Sequence, residues 1–356
     1  MDILSMLRLA ATKGASDLHL VASSPPQLRI HGALQSVADM QTLTPDDMQQ
    51  AFHQITTDEQ RAIFERLYEL DFGYTIPDVG RIRCNAARQR GTISLTIRLV
   101  RQVIPTLDEL GLPEVCKELI LKRRGLMVVS GPTGSGKSTT LSAMINYLNS
   151  VESRRVVTVE DPIEYIYSND KCTITQRELG SDTLSFAEAL RHVLRQDPDI
   201  ILVGEMRDLE TAAAVLTIAE TGHLILTTGH APSASQAIER IIDLFPPHER
   251  HLAQSRLASV LLGLLCQALV PKADGSGRVV AVEIMLANPA VRNTIREGRI
   301  YQLPNAIVTH ARLGMVLLDQ ALINLYRKGT ISSENLFAFC NDAGEVTRLL
   351  GAVEAS

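Results

Sequence analysis

The sequence predicts an α/β protein in which a smaller α+β unit precedes a larger unit built on a largely parallel sheet, followed by a helical C-terminal region. Three features predict it. Alternating apolar and polar positions up to about residue 100 give way, from about residue 113, to nearly continuous apolar runs separated by helical segments. A glycine-rich stretch, 131-GPTGSGKST-139, lies between one of those runs and a helix. Beyond about residue 287 only helical periodicity remains.

In the first unit, residues 1–100, five segments alternate as half-buried strands do: 18-LHLVAS-23, 28-LRIHGAL-34, 70-LDFGYTI-76, 81-RIRCNAA-87 and 92-TISLTIRLV-100. A helix between them starts at Thr44, an N-cap, with Pro45 at its first position. Residues 101–112, RQVIPTLDELGL, read as a linker into the second unit, 113–287. Its apolar runs are 125-GLMVVSG-131, 155-RVVTVE-160, 200-IILVGE-205, 223-HLILTTG-229 and 279-VVAVEIML-286. Such β-branched runs suit strands covered on both faces. Ser185 and Glu188 form a capping-box pattern opening SFAEALRHVLRQ, and 209-LETAAAVLTIAET-221 is helical. Leu252, Leu257, Val260, Leu261, Leu264 and Leu265 recur at helical spacing and predict one long helix over 247–269. In the tail, 288–356, Asn288-Pro289 starts a helix, and another over 313–329 stops at Gly329.

Composition narrows the function. A net charge of −5, no Trp and few aromatic residues count against a protein that coats or stacks on nucleic acid, so no direct nucleic-acid contact is expected. Five scattered cysteines without a CxxC pair indicate neither a zinc site nor a disulfide framework and fit a reducing cytoplasm. No apolar run is long enough to span a bilayer, and MDILSMLRLAATKGASD lacks the pattern of a signal peptide.

Gly131, Gly136, Lys137 and Ser138 satisfy G-x-x-x-x-G-K-[ST] in the strand–loop–helix context that this motif requires. The glycines let successive N–H groups turn towards phosphate oxygens, and the helix N-terminus adds positive potential. The expected phosphate cradle is Gly131, Pro132, Thr133, Gly134, Ser135, Gly136, Lys137, Ser138 and Thr139. Lys137 is expected at the β- and γ-phosphates of ATP, and Ser138 at Mg²⁺. Glu205 ends the apolar run 200-IILVGE-205, in the form of a second Walker element, and is the candidate that polarises the attacking water, directly or through the metal sphere. Glu160, Asp161 and Glu164, in 159-VEDPIEY-165, either crowd a bound cation or make a solvated acidic loop. His223 and His230 bracket a strand, and His230, at its C-terminal end, is a candidate γ-phosphate sensor. Arg81, Arg83, Arg88, Arg90, Arg98 and Arg101 enrich the first unit in guanidinium groups. Arg83 and Arg98, inside strand patterns, either face solvent or complete a neighbour's nucleotide site in a ring.

The chain resembles the secretion and type IV pilus motor ATPases, most closely the pilus retraction (twitching motility) ATPases. The resemblance covers nearly the whole length: 15-ASDLHL-20, GPTGSGKST, VEDPIEY as an Asp box, ILVGEMRDLET, ETGHLILTTGH as a His box, RIIDLFP and 292-RNTIREG-298. The longer N-terminal region and four-cysteine metal insert usual in extension and secretion motors do not appear. Gly229 stands where leucine is usual, and Thr294 where an apolar residue is common.

The resemblance implies a PAS-like N-terminal domain and a RecA-like ATPase domain in a homohexameric ring. It implies ATP and Mg²⁺ at Lys137 and Ser138, with Glu205 as catalytic carboxylate and Glu160 and Glu164 supporting metal and water. It further implies His230 as sensor and Arg83 and Arg98 as arginine fingers. The implied setting is the inner face of the cytoplasmic membrane, on a pilus platform protein, with a paralogous pilus ATPase as a further partner. The alternatives are a secretion or DNA-transfer motor of the same superfamily, a RecA-like nucleic-acid translocase, and a non-hydrolysing nucleotide switch.

Overall fold

The computed structural model describes residues 2–30, 32–37, 40–77, 79–100 and 103–354. The chain divides into two compact units, Met1–Val103 with Glu164–Ile166, and Ile104–Ile163 with Tyr167–Ser356.

The first unit contains α1 (Ile3–Thr12), β1 (Asp17–Val21), β2 (Gln27–Ile30), β3 (Ala33–Ser36), α2 (Pro45–Ile55), α3 (Asp58–Leu67), β4 (Glu69–Ile76), β5 (Gly80–Gln89) and β6 (Thr92–Leu99). Its strands form one antiparallel sheet in the order β3-β2-β1-β6-β5-β4. Period-two alternation sends Leu18, Leu20, Leu28, Ile82, Cys84, Leu95 and Ile97 into a core shared with Ile3, Leu7, Met48, Phe52 and Phe64 of the helices. Asp17, Arg29, Arg83 and Arg98 therefore fall on the opposite face. Thr44 caps α2 as expected: its hydroxyl accepts from the Asp47 amide, and the Asp47 carboxylate accepts from the Thr44 amide at 3.0 Å. The segment read as one strand, 28–34, is a hairpin instead, because Gly32 takes φ +85 and reverses the chain between Ile30 and Ala33. The helices α1 and α3 were not signalled by the patterns above; α3 is set by a second reciprocal cap, between Thr57 and Gln60.

The second unit contains α4 (Val115–Ile120), β7 (Gly125–Ser130), α5 (Lys137–Val151), β8 (Arg155–Glu160), β9 (Thr173–Glu178), α6 (Phe186–Val193), β10 (Ile200–Val203), α7 (Leu209–Glu220), β11 (Leu224–Thr228), α8 (Ala234–Asp243), α9 (Arg250–Val260), β12 (Leu261–Pro271) and β13 (Arg278–Leu286). The tail adds α10 (Pro289–Arg296), α11 (Leu303–Thr309), α12 (Leu318–Arg327), α13 (Ser333–Phe339) and α14 (Ala343–Glu354). The sheet order is β13-β12-β7-β11-β10-β8-β9, parallel except for the β12–β13 pair. Both faces are covered: one core packs α4 and α5 against it, the other α6 to α9. This is the parallel, two-sided sheet that the continuous apolar runs predict. Among the described residues no helix is long and apolar enough to cross a membrane.

Three local expectations are corrected. The helix predicted over 247–269 ends at Val260, and 261-LLGLLCQALVP-271 is β12. A run that is apolar at nearly every position satisfies a helix and a two-sided strand equally. Here β7 and β13 supply hydrogen-bonding partners on both sides. Ser185 caps α6 through the Glu188 amide, but the Glu188 carboxylate turns to Arg191 and His192 and does not close the box. The helix predicted from 313 begins only at Leu318, because the Val316 backbone is taken by Ile284 of β13. The strand β9 is polar (TITQRE) and lies at the sheet edge, so no apolar run announced it.

Candidate active site

In the sheet order, β7, β11, β10 and β8 are consecutive and parallel. Their C-terminal ends therefore lie side by side, where open α/β sheets bind ligands. The glycine-rich loop leaves β7, His230 follows β11, Glu205 follows β10 and Glu160 closes β8. Residues spread over 100 positions of sequence are gathered along one edge by strand order alone.

Glycine is required in the loop at specific points. Gly131 has φ +141, and a Cβ there would stand 2.4 Å from the Gln267 carbonyl oxygen and 2.7 Å from Ser135 Oγ. Gly136, at φ +93, is the N-cap of α5, and no side chain caps that helix. The amides of its first turn therefore face the concavity of the loop, an arrangement that binds anions. Lys137 is buried, and its Nζ donates to the carbonyls of Gly131 (2.9 Å) and Pro132 (3.1 Å). Ser135 Oγ is buried and has no hydrogen-bond partner among the described residues. A buried hydroxyl of this kind fits a cradle completed by phosphate oxygens. Gly131→Ala is expected to abolish nucleotide binding while secondary structure is retained. Loss of fluorescent-nucleotide binding with an unchanged circular-dichroism spectrum checks it.

Glu205 is 7% exposed, and its carboxylate is held by the Arg207 guanidinium on one oxygen and by His230 Nε2 at 3.3 Å on the other. The Glu205 hydrogen bond in turn pushes the Arg207 guanidinium further up. Glu160 is also buried; its Oε1 accepts from Thr158 Oγ1 (2.6 Å) and Gln176 Nε2 (3.2 Å). The three acids of 159-VEDPIEY-165 differ in burial. Glu160 is buried at the sheet edge, Asp161 is exposed, and Glu164 is exposed in the short segment that groups with the first unit. His223 lies against the end of α7, near Thr221 Oγ1 (3.2 Å) and the Ile218 carbonyl (3.3 Å), in a packing position.

The donor set available to a divalent cation is the Ser138 hydroxyl with Glu160 and Glu205. All are oxygen donors, as a hard ion such as Mg²⁺ requires. Two grooves of about 360 Å³ lie elsewhere, one beside Phe52 and Arg88, the other beside Tyr147 and Ser168. Neither is lined by these residues.

On the first unit, Arg83 and Arg98 stand directly opposite each other on β5 and β6. Arg98 Nε donates to Asp17 Oδ1 at 2.8 Å, and Arg29 lies 3.9 Å from Asp17 Oδ2. Burial pushes the Asp17 carboxyl up, but the bonds from Arg98 and Ser16 outweigh it and leave it below the usual range. Arg88 is committed to Glu65 (2.7 Å) and lies over the rings of Phe64 and Tyr68. Arg90 is in the β5–β6 turn with φ +49, and Arg101 lies outside the described residues.

Residues 2–328 match the family described as type II/IV secretion system protein. The chain belongs to that family. It is 46% identical over 335 residues to the type IV pilus retraction ATPase PilT of Pseudomonas aeruginosa, spanning 94% of this chain and 97% of that relative. It is 39% identical over 350 residues to the type IV pilus ATPase PilU of the same organism, spanning 98% and 91%. Among solved structures it resembles the pilus retraction motor PilT with bound ADP. The TM-score is 0.91 at 41% identity, with 98% of this chain and 99% of that one covered.

Several supports of this secretion-family site were not evident from sequence. Ser130 Oγ donates to the Ala231 carbonyl at 2.7 Å, fastening the segment after β11 to the end of β7. A Cβ at Gly229 would stand 3.0 Å from that Ser130 Oγ, so the small residue makes room for the bond. Gln267 Nε2 donates to Thr140 Oγ1 at 2.8 Å and braces α5 from behind. Asp17 was visible only as part of ASDLHL; its partners are set by strand register, which sequence spacing does not reveal. Arg292, the first residue of RNTIREG, donates to the carbonyls of Ala258, Ser259 and Ala287 and closes the end of α9.

Proposed function

We propose that this chain is a ring-forming ATPase that powers retraction of a type IV pilus. The observation that carries the reading is the phosphate loop, Glu160, Glu205 and His230 on four consecutive parallel strand ends, in a chain similar along nearly its whole length to a pilus retraction motor. Gly131, Thr133, Gly134, Ser135, Gly136 and Thr139 wrap the phosphates with main-chain amides, and Pro132, which has no N–H to donate, shapes the turn of the loop. Lys137 releases its two carbonyl partners and neutralises the β- and γ-phosphates. Ser138, Glu160 and Glu205 would hold Mg²⁺, the acids partly through water. When bound, that ion stabilises charge on the transferred phosphoryl group.

Glu205 orients the attacking water and takes up its proton as the bond between the γ-phosphorus and the β-bridging oxygen breaks. The contact of His230 with that carboxylate makes its position responsive to the γ-phosphate. Glu164 supports the water. Arg83 and Arg98, held in register on neighbouring strands, with Arg98 braced by Asp17, act as the guanidinium groups that meet the developing charge. Known fingers of this kind contribute about 10³–10⁵ in rate. The ring assembles as a homohexamer at the cytoplasmic face of the inner membrane, docks on the pilus platform protein and works beside a paralogous pilus ATPase, without direct contact with nucleic acid.

Deletion of the gene in its host is the test. Loss of a retraction motor leaves pili on the surface but stops twitching. Loss of surface pili would instead assign the chain to extension, and intact twitching with failed protein export would assign it to secretion.

A further inference from the structure

Glu283 of β13 is 3% exposed. It stands opposite Cys266 of β12, which stands opposite Ser130 at the end of β7, so the three side chains emerge in one row on one face of the sheet. Glu283 Oε1 accepts from the Ala234 amide at 2.6 Å, and Oε2 accepts from the Leu318 amide at 3.1 Å. Ala234 opens α8, directly after the His230 segment. Leu318 opens α12, the first long helix of the C-terminal region beyond the Val316 bridge.

The residue type is informative. A buried acid is costly: burial pushes the Glu283 carboxyl up, against the two amide bonds that favour its charge. An apolar residue would avoid that cost but leave two buried amides without partners. A glutamine has one accepting oxygen and would turn an N–H towards the second amide. Only a carboxylate serves both helices at once, and both present the positive ends of their dipoles to it. The two helices also differ in need. Ser233 caps α8 locally, whereas the N-cap of α12, Leu317, offers no side-chain acceptor. Glu283 is thus the cap of α12, supplied from the sheet and shared with the start of α8.

The segment 228–234 is fastened at three points: Thr228 Oγ1 to the Gly204 carbonyl beside Glu205, the Ala231 carbonyl to Ser130 Oγ, and the Ala234 amide to Glu283. His230 rides between the first two. We propose that Glu283 is a positioning residue that fixes the His230 segment and couples it to the C-terminal helices, so that a shift of that segment on loss of the γ-phosphate is carried through one carboxylate to the start of α12. The inference rests on the reading that ATP occupies the phosphate loop.

Hydrogen–deuterium exchange on the full chain tests it, with ADP and with ATPγS as probes. In the wild type, ATPγS protects 131–139, and, more strongly than ADP, it slows exchange at 228–234 and at 316–324 together. Glu283→Gln keeps the protection of 131–139, loses the ATPγS-specific response at 316–324, and lowers kcat several-fold with KM little changed. Leu322→Ala, which opens the same helix through its core contact and not through the carboxylate, keeps an ATPγS-specific response at 316–324. The coupling is overturned if the wild type protects 131–139 but shows no joint response. It is equally overturned if Glu283→Gln responds as the wild type does, or if Leu322→Ala erases the response as fully. If 131–139 is not protected in the wild type, the nucleotide reading itself fails and takes the coupling with it.

Discussion

Lys137→Ala is expected to reduce ATP turnover by at least about 10²–10³-fold, the usual effect of removing one preorganised donor to transferring charge. The loss of turnover does not require damage to the fold. The Lys137 ammonium is buried at the mouth of α5 and donates to two carbonyls of its own loop, 2.9 and 3.1 Å away. Losing them costs about 0.5–1.5 kcal/mol each at most, because water reaches the loop beside the exposed Pro132. A thermal midpoint near that of the wild type is therefore expected, together with loss of turnover and weakened nucleotide binding. No other cation lies on the loop between Gly131 and Thr139, so nothing local replaces the charge. Phosphate release and a thermal melt on the same preparation check both halves.

Glu205→Gln is expected to separate binding from chemistry. The amide is isosteric and keeps one acceptor, so nucleotide affinity is little changed. The group that orients water and accepts its proton is lost, and positioned general bases contribute about 10²–10⁴-fold. The variant also leaves Arg207 without its carboxylate partner, while His230 retains an oxygen within reach. A stalled ring, loaded with ATP and not releasing phosphate, is the expected species. Equilibrium binding together with single-turnover kinetics shows it. Turnover at the wild-type rate would remove Glu205 from the mechanism and shift the role to Glu160.

Much of this site was legible because its signals are local. A phosphate loop is contiguous, and its glycines, lysine and serine announce their chemistry by spacing. Glu205 and His230 were legible as residues that end apolar runs, since a parallel sheet puts strand ends where ligands bind. The same runs predicted the two-sided sheet, and period-two alternation predicted the first unit's strands. What spacing did not reveal depends on which strands become neighbours. Asp17 meets Arg98 across 81 residues, Ser130 meets Ala231 across 101, and Gln267 meets Thr140 across 127. No local pattern encodes these pairs. The misread of 261–269 as helix has a related cause: a run apolar on all sides carries no periodicity to separate strand from helix, and only the partners β7 and β13 decide it. Glu164 shows the reverse limit, because closeness in sequence to the buried Glu160 did not reveal that it is exposed and groups with the first unit.

The central claim is that the four strand ends form an ATP-hydrolysing site. Phosphate release by the purified full chain at saturating Mg-ATP tests it most directly. The account predicts sustained multiple turnover that stops on removal of Mg²⁺ and in both Lys137→Ala and Glu205→Gln. A wild-type chain that binds ATP yet releases no phosphate, or variants that release it at the wild-type rate, would contradict it.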